Sequence, residues 1–163
     1  MPAIPEKSSD HIKSNDDTFR SFSIISGKKP ELPKHLRFLV VEDNLLIQFA
    51  VRAMLGELGY NFNMAANGLT AIELARYYKG YDLILMDLDL PDTTGIELTK
   101  VLLSLDNTKN VPIVAMTSHT RPEYKAYCYA AGMVGFYNKP KDTHDIIRMI
   151  QNHVTQKPEM VTA

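Results

Sequence analysis

Short apolar runs alternate with longer amphipathic segments from Leu36 onward. In the short runs consecutive residues are apolar, which is typical of strands buried on both faces of a parallel sheet. We therefore predict five strands, the second and fifth less well marked, at Phe38–Val41, Tyr60–Ala65, Leu83–Met86, Ile113–Met116 and Val134–Tyr137.

The segments between these strands have the three-to-four-residue apolar spacing of helices that pack on a core. In the first segment the spaced residues are Ile47, Ala50, Val51, Met54, Leu55 and Leu58, and Gly59 follows as a helix stop. Further helices are predicted at about Thr70–Tyr78, Ile96–Leu105, Pro122–Ala131 and Thr143–Val154. Five successive β-α units predict an open, doubly wound α/β fold, whose functional sites lie beyond the carboxyl ends of the strands.

The composition is that of an ordinary globular chain, and it narrows the range of partners. Of the 163 residues 45% are hydrophobic and 23% charged, and the formal net charge is −1, so nothing favours nucleic acid. No apolar stretch reaches transmembrane length and the N-terminus lacks a signal-peptide pattern, so we predict no membrane contact and a cytoplasmic location. The single cysteine, Cys128, excludes an internal disulfide.

The beginning of the chain differs from the rest, because it is rich in Ser, Lys, Asp and Pro. We predict a flexible arm or linker over residues 1–34, a globular domain over 35–155 and a short tail over 156–163. One apolar patch, Phe19–Ile25, interrupts the arm and could alternatively be a docking segment. Because few residues follow the last predicted helix, we expect no attached output domain.

Charged and hydroxyl side chains stand at the ends of four predicted strands. They are Glu42 and Asp43 after the first, Asp87 after the third, Thr117 after the fourth and Lys139 after the fifth. Taken singly, the first two and the threonine could cap helices, and the lysine could be a solvated surface residue. An acid directly after Leu-Ile-Leu-Met is harder to explain in that way. Because parallel strands end at one edge of a sheet, we predict that all five side chains form one site.

Three carboxylates in one pocket repel each other and raise each other's proton affinity. A hard divalent cation relieves the repulsion, and Mg²⁺ prefers a few carboxylates together with retained waters. An ionised Asp87 could then act as a nucleophile on phosphorus, as carboxylates do when they form aspartyl phosphates. Mg²⁺ and Lys139 would neutralise charge on the transferred group, and Thr117 would bond one of its oxygens.

Four segments form a recognisable signature: VVEDN, LILMDLDLPDTTGIEL, VPIVAMTSH and AAGMVGFYNKP. In order and spacing they resemble the signature segments of the receiver domains of two-component response regulators. The resemblance covers roughly Leu36 to Val154, and VVEDN and LPDTTG are similar to receivers of hybrid sensor kinases in phosphorelays. It implies a flavodoxin-like, three-layer (βα)5 fold with five parallel strands in the order 2-1-3-4-5.

The resemblance also implies a role for each site residue. Asp87 matches the phosphoacceptor, Lys139 the lysine that pairs with the phosphate, and Thr117 the hydroxyl of the conformational switch. The implied Mg²⁺ ligands are the carboxylates of Glu42, Asp43 and Asp87 and the backbone carbonyl of Asp89.

Other positions of the family pattern concern the switch and the backbone. Phe136 matches the switch aromatic, although it lacks the hydroxyl of the commoner tyrosine. Ser118 stands where a small apolar residue is frequent. Pro140 follows Lys139 where receivers commonly have a cis peptide bond, so we expect one there.

The resemblance implies that the phosphoryl group comes from a phosphohistidine on a histidine kinase or a histidine-phosphotransfer protein, and that the domain signals to a downstream protein. The domain would catalyse its own phosphorylation and dephosphorylation without being a turnover enzyme. Asp89 and His119, which flank the site, would tune the lifetime of the phosphate. Three apolar residues off the inward stripe of the first helix could form a docking patch for the partner's histidine-bearing helix: Leu46, Phe49 and Ala53.

Two other functions remain open from the sequence alone. A phosphorylation-independent scaffold with a receiver fold could use Phe19–Ile25 and the tyrosines of the fourth helix, Tyr124, Tyr127 and Tyr129. The Asp-Leu-Asp sequence from Asp87 also matches the opening motif of haloacid-dehalogenase-type phosphatases, although that family places it on its first strand. One phosphate per chain would indicate a receiver, and steady turnover of a phosphate ester would indicate a phosphatase.

Overall fold

The computed structural model describes residues 31–119 and 121–154, which form five β-α units as predicted. The strands are β1 (Arg37–Val41), β2 (Asn61–Ala65), β3 (Leu83–Met86), β4 (Ile113–Thr117) and β5 (Gly135–Asn138). The helices that follow them are α1 (Leu45–Glu57), α2 (Gly68–Tyr77), α3 (Gly95–Ser104), α4 (Pro122–Ala130) and α5 (Thr143–His153).

The strands form one parallel sheet in the order β2-β1-β3-β4-β5, which confirms the predicted fold and strand order. Val41 of β1 is level with Ala65 of β2 and with Met86 of β3, so these three strands end in one line. The hydrogen-bond pattern continues one residue further, because the Glu42 N–H donates to the Ala65 carbonyl and the Asp87 N–H to the Val41 carbonyl, each at 2.9 Å. The backbone of both acids is thereby fixed at the same edge of the sheet.

Each face of the sheet supports its own hydrophobic core, because alternate residues of a strand point to opposite faces. On one face, residues of α2, α3 and α4 cover the strand residues Leu39, Val41, Ile84 and Met86. On the other face, residues of α1 and α5 cover Phe38, Val40, Leu83 and Leu85. Both faces are therefore buried, which explains why these strands are continuously apolar in sequence.

The starts of the helices follow local sequence signals. Asparagine, threonine or aspartate side chains accept first-turn amides of four helices, at Asn44, Asn67, Thr94 and Asp142. Helix α4 begins instead at Pro122, whose lack of an N–H costs nothing in a first turn.

Most elements have at least one boundary that differs from prediction by one or two residues. Helix α2 begins at Gly68, two residues earlier than predicted, because Asn67 caps it there. Strand β2 begins at Asn61, one residue later than predicted. Gly59 has a φ of 77°, and the Tyr60 N–H still donates to a carbonyl of α1, so the chain has not yet left the helix end. Strand β5 also begins one residue later than predicted.

The described residues include only the end of the predicted arm and none of the predicted tail. The patch Phe19–Ile25 and the tail 156–163 lie outside the described residues. Leu32 packs against the core and the Pro33 carbonyl accepts a hydrogen bond from the Tyr60 hydroxyl at 2.9 Å, so core contacts begin before the predicted boundary at residue 35. In the described part of the chain, no helix combines the length and hydropathy needed to span a membrane.

Candidate functional site

The charged side chains predicted to meet at the strand ends do meet there. One carboxylate oxygen from each of Glu42, Asp43 and Asp87 lies within 4.8 Å of the other two. Lys139, directly after β5, places its Nζ 3.0 Å from Glu42 Oε2 and 3.4 Å from Asp87 Oδ2. Thr117 is the buried last residue of β4, at the same edge of the sheet.

Capping and surface exposure do not explain the acids and the lysine. Asn44, and not the acids before it, supplies the side-chain cap of α1. The Thr117 Oγ1 accepts the amide of His119 at 3.0 Å, within the loop that precedes α4. The Lys139 side chain is only 21% exposed and contacts the acids. The Lys139 contacts favour the prediction of a single site for the acids and the lysine, whereas the Thr117 contact is a local one at the same edge of the sheet.

Glu42 is fully buried, and one of its oxygens is left without a hydrogen bond. Oε1 accepts hydrogen bonds from the Asn44 amide at 3.0 Å and from Lys139 Nζ at 3.2 Å. Oε2 lies 3.0 Å from the same ammonium, but the direction is not that of a hydrogen bond, and no described residue donates to it. Burial raises the pKa of Glu42 to about 7 despite the Asn44 hydrogen bond, and the charge of Asp87 adds to the increase.

Asp87 and Lys139 influence each other's charge state. Burial raises the pKa of Asp87 above its ordinary value, and the nearby Lys139 ammonium only partly offsets this. Burial lowers the pKa of Lys139, but the hydrogen bond and charge of Glu42 and the charge of Asp87 outweigh it, so the net shift is upward. The lysine is therefore charged at neutral pH. With three carboxylates and one ammonium, the fully ionised cluster carries two excess negative charges.

Other contacts support the cluster from its sides. Gln48, on the buried side of α1, donates from Nε2 to the Glu42 carbonyl at 2.6 Å. This residue was not predicted, although a polar side chain on the inward side of a helix is a signal that could have revealed it. Asp89 and His119 were predicted to flank the site, and their side chains are within hydrogen-bond distance of each other, while the His119 ring stacks on Tyr124.

The predictions for Phe136 and for the peptide bond before Pro140 have different outcomes. Phe136 is half-buried in β5, level with Ala115 of β4, and packs against the core beneath α2, α3 and α4. The expected cis peptide bond before Pro140 was wrong, since no described peptide bond is cis. The trans form is the lower-energy isomer of an X-Pro bond, and Lys139 reaches the acids with this bond in the trans form.

The predicted docking residues are all exposed and lie on the helix that starts beside the acids. Leu46 is 80% and Phe49 76% exposed, and Ala53 is exposed as well. Leu45, at 76%, extends this apolar surface. It was not among the residues predicted from the sequence. We call these four residues the α1 patch.

Residues 38–151 match the family of response regulator receiver domains. The chain is 32% identical to the polar-differentiation response regulator DivK of Brucella anthropi, over 76% of this chain and 98% of that protein. It is 36% identical to part of the hybrid signal transduction histidine kinase B of Dictyostelium discoideum, over 72% of this chain and 7% of the kinase. Among solved structures, the receiver domain of the sensor histidine kinase PA1611 from Pseudomonas aeruginosa has 34% identity and a TM-score of 0.67, with 73% of this chain and 97% of that chain covered.

That Pseudomonas receiver was solved with a magnesium ion coordinated in its active site cleft. The chain spans about half, 54%, of a curated relative from Porphyra purpurea and much smaller shares of several histidine kinases. The Asp-Leu-Asp sequence follows the third strand and not the first, where haloacid-dehalogenase-type phosphatases place it. By its family match, strand order and relatives, the chain belongs to the response regulator receiver domains of two-component signalling.

Proposed function

We propose that Asp87 accepts a phosphoryl group from a phosphohistidine on a histidine kinase or a histidine-phosphotransfer protein. The observation that carries this proposal is the cluster at the strand ends, where three carboxylates lie within 4.8 Å and a lysine ammonium contacts two of them. Such a cluster can hold a nucleophilic carboxylate and stabilise the charge of a phosphoryl group. Relatives such as DivK and the hybrid kinases belong to signalling systems of this kind.

The cluster fits a Mg²⁺ ion. Its donors are all oxygens, as Mg²⁺ requires, and the buried Glu42 Oε2 has no hydrogen bond from any described residue. The residues that would hold the ion are Glu42, Asp43 and Asp87 through their carboxylates and Asp89 through its backbone carbonyl. When bound, the ion would offset the excess negative charge and polarise the phosphoryl oxygens.

In the transfer, an Asp87 carboxylate oxygen forms the bond to phosphorus while the bond from phosphorus to the donor imidazole nitrogen breaks. The electron pair returns to that nitrogen, which takes up a proton, so the products are an acyl phosphate and a neutral histidine. Lys139 is close enough to Asp87 to donate a hydrogen bond to a phosphoryl oxygen. Its raised pKa keeps it charged for this role.

Thr117 and Phe136 are proposed to convert phosphorylation into a change of shape. The Thr117 oxygen already accepts the His119 amide, and its own hydroxyl proton is a donor suited to a phosphate oxygen. Movement of Thr117 toward the phosphate would open space behind β4. Phe136, half-buried beside that strand, could rotate into the space and alter the surface formed by α4, β5 and α5.

The central test is intact-mass measurement after incubation with Mg²⁺ and a small phosphodonor. We expect one phosphate per wild-type chain, and none on Asp87→Asn, because the amide is not a nucleophile of this kind. Omitting Mg²⁺ should also prevent the adduct. A wild-type protein that stays unmodified would sink the proposal, and sustained hydrolysis of a phosphate ester would identify an enzyme instead of a signalling domain.

The α1 patch is proposed to dock the histidine-bearing helix of the donor. We expect Phe49→Glu to slow transfer from the cognate phosphohistidine protein by about tenfold or more, since a buried interface aromatic contributes at least about 1.4 kcal/mol. Labelling by the small phosphodonor should be unchanged. Tyr77→Glu is the matched control, because Tyr77 is equally exposed at 79% but lies at the far end of α2. Equal slowing by both variants, or loss with both donors, would contradict docking at the α1 patch.

A phosphorylation-independent scaffold remains the competing function, and one observation favours it. Tyr127 and Tyr129 on α4 are 60% and 45% exposed, which offers a partner two aromatic side chains whatever the state of Asp87. Once a downstream partner is identified, its affinity for phosphorylated wild type and for Asp87→Asn decides between the two functions. A receiver switch predicts different affinities, and a scaffold predicts equal ones.

A further inference from the structure

Helix α2 is capped by a residue that comes from a different part of the chain. The Asp92 carboxylate accepts the backbone N–H of Gly68 at 2.8 Å and that of Leu69 at 3.0 Å, across 24 and 23 residues of sequence. The local cap, Asn67, accepts the amide of Thr70 at 2.8 Å. The first three amides of the helix are thus shared between a local and a distant side chain.

The contact between the two segments is close, with Gly68 at its centre. A Cβ on Gly68 would lie 2.5 Å from Thr93 Cγ2 and 3.3 Å from an Asp92 carboxylate oxygen. Helix α2 and the loop after β3 are therefore packed backbone against side chain at this point. We call the two Asp92 hydrogen bonds and this contact the loop clamp.

The clamped loop is the one that carries the proposed phosphorylation site. It runs from Asp87 to Thr94, and its ends are joined by the bridge between Asp89 and Thr94 and by the hydrogen bond from the Gly95 N–H to the Leu88 carbonyl at 2.8 Å. On the side away from the clamp, the Asp89 side chain is paired with His119. The loop is consequently braced on both sides, by α2 through Asp92 and by the loop after β4 through Asp89.

We infer that Asp92 is a positioning residue, which holds the loop against helix α2 and so fixes the backbone of Asp89 for Mg²⁺ binding. This inference rests on the proposed function, in which the Asp89 carbonyl is a metal ligand. A negative charge is also favourable at a helix N-terminus, which strengthens the clamp. The two amide hydrogen bonds hold the pKa of Asp92 below its usual range, so the carboxylate is ionised at neutral pH.

The test uses the full chain and amide NMR spectra, which report metal binding and hydrogen exchange together. In Asp92→Ala we expect the Mg²⁺ dissociation constant to rise about tenfold, the lower end of the effect of removing groups that orient metal ligands. Asp92→Asn keeps one acceptor oxygen, so its Mg²⁺ dissociation constant should lie between those of wild type and Asp92→Ala. Asn67→Ala is the matched control, because it removes a cap from the same helix turn without touching the loop. It should destabilise α2 while leaving Mg²⁺ affinity within about twofold of wild type.

A second readout follows from the reciprocity of coupled equilibria. If the loop clamp favours Mg²⁺ binding, saturating Mg²⁺ should slow exchange of the Gly68 and Leu69 amides in wild type but not in Asp92→Ala. Equal Mg²⁺ affinities of wild type and Asp92→Ala, or equal losses in Asp92→Ala and Asn67→Ala, would overturn the inference and leave the proposed function intact. Absence of saturable Mg²⁺ binding by the wild-type chain would overturn both.

Discussion

Strand β5 has a polar cluster at each end, and the two clusters differ in their charge and in how their polar atoms are paired. Beside the start of the strand, the Tyr137 hydroxyl contacts His153 Nε2 at 2.5 Å and accepts a hydrogen bond from Asn152 at 3.1 Å. Directly after the strand, Lys139 faces two buried carboxylates, and Oε2 of Glu42 has no hydrogen bond from a described residue. The first cluster can be neutral with its polar atoms paired, whereas the second carries charge.

Burial acts on both clusters in the same physical sense, because it favours whichever form of a group is neutral. It lowers the pKa of His153 and raises the pKa of Glu42 to about 7. The Tyr137 cluster satisfies this preference and needs no ion. In the cluster around Glu42, burial disfavours the ionised carboxylate. A bound cation would stabilise that ionised form.

The two ends of β5 therefore make stability depend on pH with opposite signs. For Glu42 the pKa in the fold, about 7, lies above the ordinary 4.5, so its stabilising contribution is complete below 4.5 and is lost as pH rises through 7. For His153 the pKa in the fold lies below the ordinary 6.5, so its contribution is complete above 6.5 and declines as pH falls. Substitutions at the two ends of the strand separate these effects.

The largest effect is expected from Lys139→Met, which leaves the buried carboxylates without their counter-charge. Without Mg²⁺ at pH 7.5, we expect the free energy of unfolding to fall by about 3 kcal/mol, as when one partner of a buried ion pair is removed. Mg²⁺ should stabilise this variant more than it stabilises wild type, since the ion supplies the missing positive charge. Urea unfolding with and without Mg²⁺ measures both quantities.

Lys100→Met is the control for Lys139→Met. Lys100 also forms a 3.0 Å ion pair, with Glu97, but both side chains are more than half exposed. We expect a loss of less than about 0.5 kcal/mol and no dependence on Mg²⁺. Similar losses in the two variants would show that the carboxylates beside Lys139 are not buried charges in solution.

Glu42→Gln should have the next largest effect, and it should be visible as a change in pH dependence. In metal-free wild type, Glu42 is expected to remove about 2 kcal/mol of stability between pH 4.5 and 7, because burial opposes its ionisation in the fold. The amide does not titrate, so the variant should show a flatter profile. Mg²⁺ should flatten the wild-type profile by holding Glu42 ionised. Parallel profiles of wild type and variant without metal would contradict the raised pKa.

The fold and the charged site could both be predicted because their signals are local in sequence. Each central strand is a continuous apolar run, and Glu42 and Asp87 stand directly after two such runs, while Lys139 stands directly after the less well marked edge strand β5. Parallel strands end at one edge, so residues distant in sequence could be assigned to one site without any knowledge of side-chain positions. The register confirmed this, since Val41 and Met86 are level at the ends of β1 and β3.

What could not be predicted are the contacts that depend on how loops and helix ends pack. Asp92 reaches helix α2 across 24 residues, and Tyr137 meets His153 across 16. Neither pair is marked by periodicity, charge runs or a motif. Asp92 has the sequence context of an ordinary turn acid, and His153 that of a polar residue at a helix end. Their roles follow from tertiary packing. The apolar pattern predicts which face each element buries, but not which polar side chains meet.

The smallest effects are expected at the start of β5, from the matched pair Tyr137→Phe and His153→Gln. At pH 7.5 the first should cost about 1 kcal/mol for the lost hydroxyl hydrogen bonds, and the second no more than that, because glutamine remains a polar neighbour. Neither change should alter Mg²⁺ affinity or phosphate uptake. Below pH 6.5 the two variants should diverge. Tyr137→Phe retains the buried imidazole and should lose stability as the pH falls, whereas His153→Gln should not.

Unfolding free energies between pH 5 and 7.5 measure this divergence, and they are best compared in the Glu42→Gln background, where the opposing slope is absent. The His153 side chain packs closely against Gly135, where a Cβ would lie 2.5 Å from His153 Nε2, so the residue that replaces His153 should not be larger. Glutamine is chosen because it does not enlarge the side chain. If His153→Gln still loses stability in acid as wild type does, the sensitivity arises elsewhere in the chain. The two ends of β5 would then differ in charge but not in the sign of their response to pH.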